Sequence, residues 1–243
     1  MAGKITRTKP FSLPRSNVKR TLTSLLSLSL LTAFSSVQAA ELAPAMASWL
    51  AAQTNIHAWS ADFIQTRRLK SLTQPLTATG HVWFAAPNRF RWELGRPAQT
   101  IAVREARQLL IIYPLLKRVE RLPLTGEMPG PWRDALALLE AGFPRSRVDL
   151  EGRYEILSQT VTNEMGQLVL QPKSASARRM IPRIEIDVNT KDHSLRGTEI
   201  QFADGSSLRN DFERAQFNPT IDDQLFAPTI PPDYKIVEPL KKS

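Results

Sequence analysis

The run RIEIDVN, 183–189, leaves a chain little choice of local structure. Ile184, Ile186 and Val188 alternate with Arg183, Glu185 and Asp187. Side chains of a β-strand point to opposite faces at successive residues, so this pattern buries three aliphatics and leaves three charges outside. Shorter segments repeat the design. HAWSADFIQT puts Trp59, Ala61 and Phe63 on one face and Ser60 and Asp62 on the other. ATGHVWF, RFRWEL, QTIAVR, QLLIIY and KRVERL follow at short intervals, each bounded by a turn signal. RYEILS, QLVLQP, LRGTEIQF and SLRNDF continue the series beyond a central break. ADGS, 203–206, is a hairpin turn with Asp-Gly at its centre, and DVNTKDHSL is a longer hairpin. The Pro-rich tail has room for one edge strand near 234–237. About ten or eleven strands result, and their short connections predict an antiparallel meander.

Helices interrupt this pattern twice. Residues 41–53, ELAPAMASWLAAQ, place Leu42, Met46, Trp49 and Leu50 on one side at helical spacing, with Pro44 in the first turn. PLTGEMPGPW stops the first set of strands. PWRDALALLEAG then reads as a helix over 131–142, with Pro131 at its start and Gly142 past its end. The fold class is mainly β with helices (α+β), a curved antiparallel sheet with helices against one face.

The first forty residues predict where the chain goes. Lys4, Arg7, Lys9, Arg15, Lys19 and Arg20 precede the apolar run LTSLLSLSLLTAF, and small residues follow at Val37, Ala39 and Ala40. This is the layout of a secretory signal peptide over 1–39, cleaved near 39/40, ahead of a single domain over 40–243. The formal net charge is +9, and six of those charges lie in residues 1–20, so the processed chain is near +3. Nucleic-acid binding loses its compositional support. No cysteine is present, which excludes disulfides, thiolate metal sites and lipidation at a cysteine. The expectation is a periplasmic monomer that is neither acylated nor membrane-spanning.

No catalytic constellation can be read. His57, His81 and His193 are scattered, the segment around Ser206 lacks the Gly-x-Ser-x-Gly frame, and no Gly-rich phosphate loop exists. Asp222 and Asp223 stand together on a Pro-flanked segment and read as a solvated turn. No catalytic residue, metal or cofactor is expected. SASARRMIPR, with Arg178, Arg179 and Arg183, reads as a solvated loop, and YPLLKRVER, with Lys117, Arg118 and Arg121, as a strand's outer face. A second reading of both clusters is docking to an acidic partner or to anionic lipid headgroups.

GHVWFAAPNRFRWEL followed by PAQTIAV and LLIIYP resembles the periplasmic lipoprotein carriers of the LolA family, as do VLQPK and FNPTIDDQLFAPTIPPDYKIV. The likeness runs over roughly residues 41–238. It implies an incomplete barrel of antiparallel strands covered by a helical lid, with a cavity for the acyl chains of a lipoprotein or another lipid cargo. It also implies an inner-membrane ABC transporter and an outer-membrane receptor as partners. A closed-core interaction protein is the alternative of a different class. Each CH₂ left in water costs ~0.8 kcal/mol, so an acyl chain crossing an aqueous space needs such cover.

On this reading Phe90, Trp92 and Leu94 face the hollow, and Arg89, Arg91 and Glu93 face water. Trp59, Phe63, Ile101, Val103, Leu109 and Ile111 are further cavity candidates, and Trp132, Leu136 and Leu139 form the lid's inner face. The chain departs from the family pattern twice. Ala86 stands where a lid-latching Arg precedes the Pro, and EARQ, 105–108, replaces a Gly-bearing turn. A weaker lid latch is the expected consequence.

Overall fold

The computed structural model describes residues 41–105, 107–124, 144 and 146–238 of the 243. The expected leader, the expected helix over 131–142 and its Trp132, Leu136 and Leu139 lie outside the described residues.

Twelve strands form one sheet: β1 (Ala58–Arg68), β2 (Leu76–Ala85), β3 (Arg89–Leu94), β4 (Thr100–Arg104), β5 (Gln108–Tyr113), β6 (Arg118–Pro123), β7 (Tyr154–Thr162), β8 (Met165–Pro172), β9 (Arg183–Asn189), β10 (Leu195–Gln201), β11 (Ser207–Phe217) and β12 (Lys235–Val237). Their order is β12-β6-β5-β4-β3-β2-β1-β11-β10-β9-β8-β7. Two meanders, β1–β6 and β7–β11, join where β1 pairs β11. All pairings are antiparallel except β12 along β6. β12 and β7 end the sheet, so it is an open half-barrel rather than a closed one. The expected architecture is present.

Three helices are described: α1 (Pro44–Gln53), α2 (Arg147–Arg153) and α3 (Ala175–Met180). In α1, Pro44 occupies the first turn and Met46, Trp49, Leu50 and Gln53 are buried. Their i, i+3, i+4, i+7 spacing makes one buried stripe, apolar except for Gln53 at its end. Each of the three large apolar side chains contributes roughly 1.5–3 kcal/mol by leaving water. The stripe packs in one core with Trp59, Ala61 and Phe63 of β1, Leu168 and Leu170 of β8, Ile184, Ile186 and Val188 of β9, and Phe212 of β11. Two glycines permit the close approaches. A Cβ on Gly166 would collide with the sulfur of Met46, and one on Gly80 with the Phe63 ring and the Glu93 carbonyl. The Gln159 amide on edge strand β7 tethers the entry to α1, donating to the Glu41 carbonyl at 2.7 Å and accepting from the Ala43 N–H at 2.8 Å.

The outer face differs between the two halves of the sheet. Over β9–β11 it is ionic. Arg209 pairs with Asp187 at 2.9 Å and Asp211 at 2.8 Å, over Gly197, where a Cβ would meet the guanidinium at 2.8 Å. Over β3–β6 it is covered by the C-terminal segment. Leu110, Ile112 and Val119 form a second apolar layer there with Ile101, Ile230 and Tyr234. Arg89, Arg91 and Glu93 lie on this outer face as expected, but Arg91 and Glu93 are largely covered rather than in water. Arg89 pairs with Asp223 at 2.7 Å and stacks over Phe226. Arg91 donates to Glu93 at 2.6 Å and to the Leu225 carbonyl at 3.2 Å. Asp222 caps the short 3-10 turn Asp223–Phe226 by accepting from the Gln224 N–H at 2.9 Å.

SASARRMIPR is likewise not a loop throughout. Ala175–Met180 is helical, with the Arg178 N–H donating to the Ser174 carbonyl at 2.9 Å. Ala, Arg and Met are strong helix formers, and this local preference prevails.

Candidate functional site

The strand register sorts the expected cavity residues. Phe84 pairs with Phe90, Val82 with Trp92 and Gly80 with Leu94, so these share the inner face of β2 and β3. Trp59 stands opposite Phe84 and Phe63 opposite Gly80, on that same face. Trp92 pairs with Ala102, and Ala102 with Ile111, which carries the face across β4 to β5. Leu109 follows two residues from Ile111 and pairs with Leu122. Seven of the nine candidates therefore share one face: Phe90, Trp92, Leu94, Trp59, Phe63, Leu109 and Ile111.

Ile101 and Val103 do not. They pair with Glu93 and Arg91, on the outer face. The alternation in TIAVR made them the apolar side of β4. The cause of the difference is the second layer formed by Ile230 and Tyr234, which gives the outer face its own apolar demand. The inner face of β4 instead carries Ala102 and Arg104.

Trp59 and Phe63 belong to the packed region under α1. Trp59 meets Phe212 edge-on with ring centroids 5.2 Å apart, and Phe63 lies 4.0 Å from Trp92. Phe90, Ala102, Leu109, Ile111 and Leu122 form a separate cluster on β3–β6. Between the regions, at the β2–β3 end, a cavity of about 590 Å³ opens. That volume lies within the ~300–1,000 Å³ of ligand clefts. Ile56, Phe84, Ala86, Pro87 and Phe90 supply its apolar wall. Gln53, Asn88, Arg104, Asp149 and Arg153 bring polar groups to it.

The walls are held locally. Ser146 caps α2 by accepting from the Asp149 N–H at 3.1 Å, and Arg153 pairs with Asp149 at 2.7 Å. Asn218 braces the link from α1 to β1, accepting from the His57 N–H at 2.7 Å and donating to the Asn55 carbonyl at 3.0 Å. Ala86 stands on the cavity wall beside these groups. Sequence reading missed Arg104, Asp149 and Arg153. Arg104 alternates with Val103, so the reading that turns Val103 toward the hollow turns Arg104 away from it.

A second polar cluster lies on the outer face of β1 and β2. Asp62 accepts from Arg96 at 2.6 Å and Arg214 at 2.6 Å and contacts the His81 ring nitrogen at 2.8 Å. Burial pushes the Asp62 carboxyl up, but hydrogen bonds from His81 and Arg214, with the Arg214 charge, outweigh it and hold the group below its ordinary value. Among the described residues, no group of three or more His, Asp or Glu gathers as a metal site, and no helix is long and apolar enough to cross a membrane.

An open half-barrel with an apolar inner face, a helix seated on it and a cleft at one end is the architecture of a binding scaffold. The family model described as outer membrane lipoprotein carrier protein LolA matches residues 54–229, and the chain belongs to the LolA family. The family's members are binding or carrier proteins rather than enzymes. No curated protein matches the sequence. Among solved structures, an uncharacterized conserved protein from Thermus thermophilus is similar at 10% identity, covering 78% of this chain and 94% of that one, with a TM-score of 0.47. A lipoprotein-sorting protein domain from Vibrio parahaemolyticus is similar at 12% identity, covering 70% and 88%, with a TM-score of 0.41. A LolA superfamily protein from Nitrosomonas europaea is similar at 12% identity, covering 74% and 96%, with a TM-score of 0.39.

Proposed function

We propose that this protein is an exported periplasmic carrier that shelters acyl chains of lipoproteins in the hollow of its half-barrel between inner and outer membrane. The observation that carries the reading is the cavity at the β2–β3 end, walled by Phe84, Phe90 and Ile56 and continuous with the inner face. Family membership supports lipoproteins as the cargo. An inner-membrane ABC transporter would load the carrier and an outer-membrane receptor unload it. Trp132, Leu136 and Leu139 would form the lid. The work is binding and release, with no covalent step and no cofactor.

The grip must be reversible. An apolar wall recognises no particular headgroup, and its hold scales with the chain length buried, at about 0.8 kcal/mol per CH₂. One observation favours a second reading, a carrier of the same fold for another lipid or lipid-linked product. Arg104, Asp149 and Arg153 line the cavity beside the apolar wall, which suits a guest with a polar group next to its chain.

Titration with a fluorescent fatty acid tests the carrier reading. Phe90→Asp should abolish saturable uptake, because a carboxylate there must lose its water beside the guest. Arg91→Ala, on the opposite face of β3, should retain it. Equal losses in the two variants, at matched folding, would remove the inner face from the function.

A further inference from the structure

The connections of the sheet form two rims of unequal charge. Register places the β1–β2, β3–β4, β5–β6, β8–β9 and β10–β11 connections at one end. One hydrogen bond ties the β8–β9 and β10–β11 connections together. The Ala203 N–H donates to the Met180 carbonyl at 3.0 Å. The Asp204 carboxyl is held below its ordinary value first by the Ser206 hydroxyl and N–H, and further by the Lys70 charge.

The connecting residues 69–75, 95–99, 114–117, 173–182 and 202–206 contain six Lys or Arg and one carboxylate, Asp204, and the adjoining strand ends add Arg67, Arg68, Arg118 and Arg183. The connections of the other end, 86–88, 105–107, 163–164 and 190–194, contain two cations and three carboxylates. The chain carries +9, of which six charges precede residue 21, so the remainder is near +3. Positive charge is thus gathered on one rim. Four of its cations have partners: Arg96 with Asp62, Lys117 with Asp233, Arg118 with Glu120 and Arg183 with Glu185. The other six, Arg67, Arg68, Lys70, Lys173, Arg178 and Arg179, are exposed and form no ion pair among the described residues.

Large apolar side chains project from the same connections. Leu115 is 77% exposed, Leu116 67%, Leu76 53%, Leu72 47% and Met180 39%. A single exposed Leu needs no explanation. Here three separate connections present them, each beside unpaired or flanking cations. Apolar tips among cations match the boundary between anionic headgroups and acyl chains.

We propose that this rim docks the protein onto a lipid bilayer that carries anionic headgroups. Leu115 and Leu116 enter the headgroup region, and the guanidinium groups stay with the phosphates. Ala86, Pro87 and Asn88 of the cavity wall belong to the opposite rim, whereas Arg153, whose carbonyl accepts from the Lys173 N–H at 2.9 Å, lies toward the docking rim, so docking leaves the β2–β3 side of the cleft clear. The proposal stands apart from the identity of the cargo.

Vesicle flotation with the protein recovered after export tests it. The protein should float with phosphatidylcholine vesicles containing phosphatidylglycerol, not with phosphatidylcholine alone, and salt should release it. Each cation near an anionic surface is worth about a fivefold change in partition. Arg67→Ser with Arg178→Ser and Arg179→Ser should therefore lower binding on the order of a hundredfold. Leu115→Ser with Leu116→Ser should lower it at least about tenfold. The opposite-rim control, Arg107→Ser with Lys191→Ser, should bind like the parent. Unchanged flotation of the rim variants, or equal binding to uncharged vesicles, overturns the proposal. Capture by immobilised polyglutamate without vesicle binding also overturns it, in favour of an acidic protein partner. Fatty-acid uptake should be unchanged in the rim variants. Its absence from the parent would sink the carrier reading and leave the vesicle result standing.

Discussion

The seat of α1 on the sheet can be measured by a double-mutant cycle at Met46 and Gly166. Met46 is fully buried, and its sulfur occupies the space that a Cβ on Gly166 would take. Met46→Ala removes a core side chain and leaves a void, which costs about 2–5 kcal/mol. Gly166→Ala does the reverse. Its new methyl group would also stand 3.1 Å from Thr190 and 3.2 Å from Val188, and overpacking of this kind costs roughly 1–3 kcal/mol. Gly166 is not in the left-handed region, so alanine gains about 0.4–1 kcal/mol through the unfolded chain. The net cost of the second change is about 1–2 kcal/mol. In the double variant the alanine methyl occupies part of the space vacated by methionine. The combined loss should fall short of the sum by at least about 1 kcal/mol. Urea unfolding of the four proteins, with equal m-values, supplies the cycle. Additivity within about 0.3 kcal/mol would show that Met46 does not lie over Gly166, and the placement of α1 would fail.

Two further perturbations probe the outer face and the cleft. The folded-state pKa of Asp62 is depressed, so its contribution is full above the unfolded value and is lost as pH falls through the folded one. Asp62→Asn should lower stability at pH 7 by roughly 1 kcal/mol, since Arg96 and Arg214 are largely exposed, and the gap should close as pH falls below 3.8; a gap that is constant with pH would contradict this. Ala86→Arg should raise the melting temperature and slow both uptake and release of a fatty-acid probe in stopped flow. Asp149 is a carboxylate lining the same cavity as position 86, and one charged hydrogen bond to it would contribute about 1.5–3 kcal/mol. Unchanged kinetics and stability would remove position 86 from any latch.

The sheet was legible because its strands bury one face and the alternation survives. RIEIDVN and AWSADF needed no tertiary information to assign their faces. β4 and β5 were harder for a physical reason. QLLIIY is buried on both faces, the inner by Leu109 and Ile111 and the outer by Leu110 and Ile112 under Ile230 and Tyr234. A strand covered on both sides loses its period, and in β4 the alternation survives but its apolar side, Ile101 and Val103, faces the covered outer layer rather than the hollow. The cover comes from a tail more than a hundred residues away, which local pattern cannot reveal. The same holds for Arg89 and Arg91, whose partners at 223–226 are distant in sequence. The cleft shows both cases. Phe90 followed from alternation, whereas Arg104 of β4 and Asp149 and Arg153 of α2 come to line one cavity only through tertiary structure.

Native mass spectrometry of the protein recovered from the periplasm tests the central claim most directly. A carrier whose cleft has one apolar wall should retain a fraction of acyl-bearing guest at one per chain, displaced by added fatty acid and absent from Phe90→Asp. A bare mass in the parent protein, together with no saturable fatty-acid uptake after delipidation, would contradict the account.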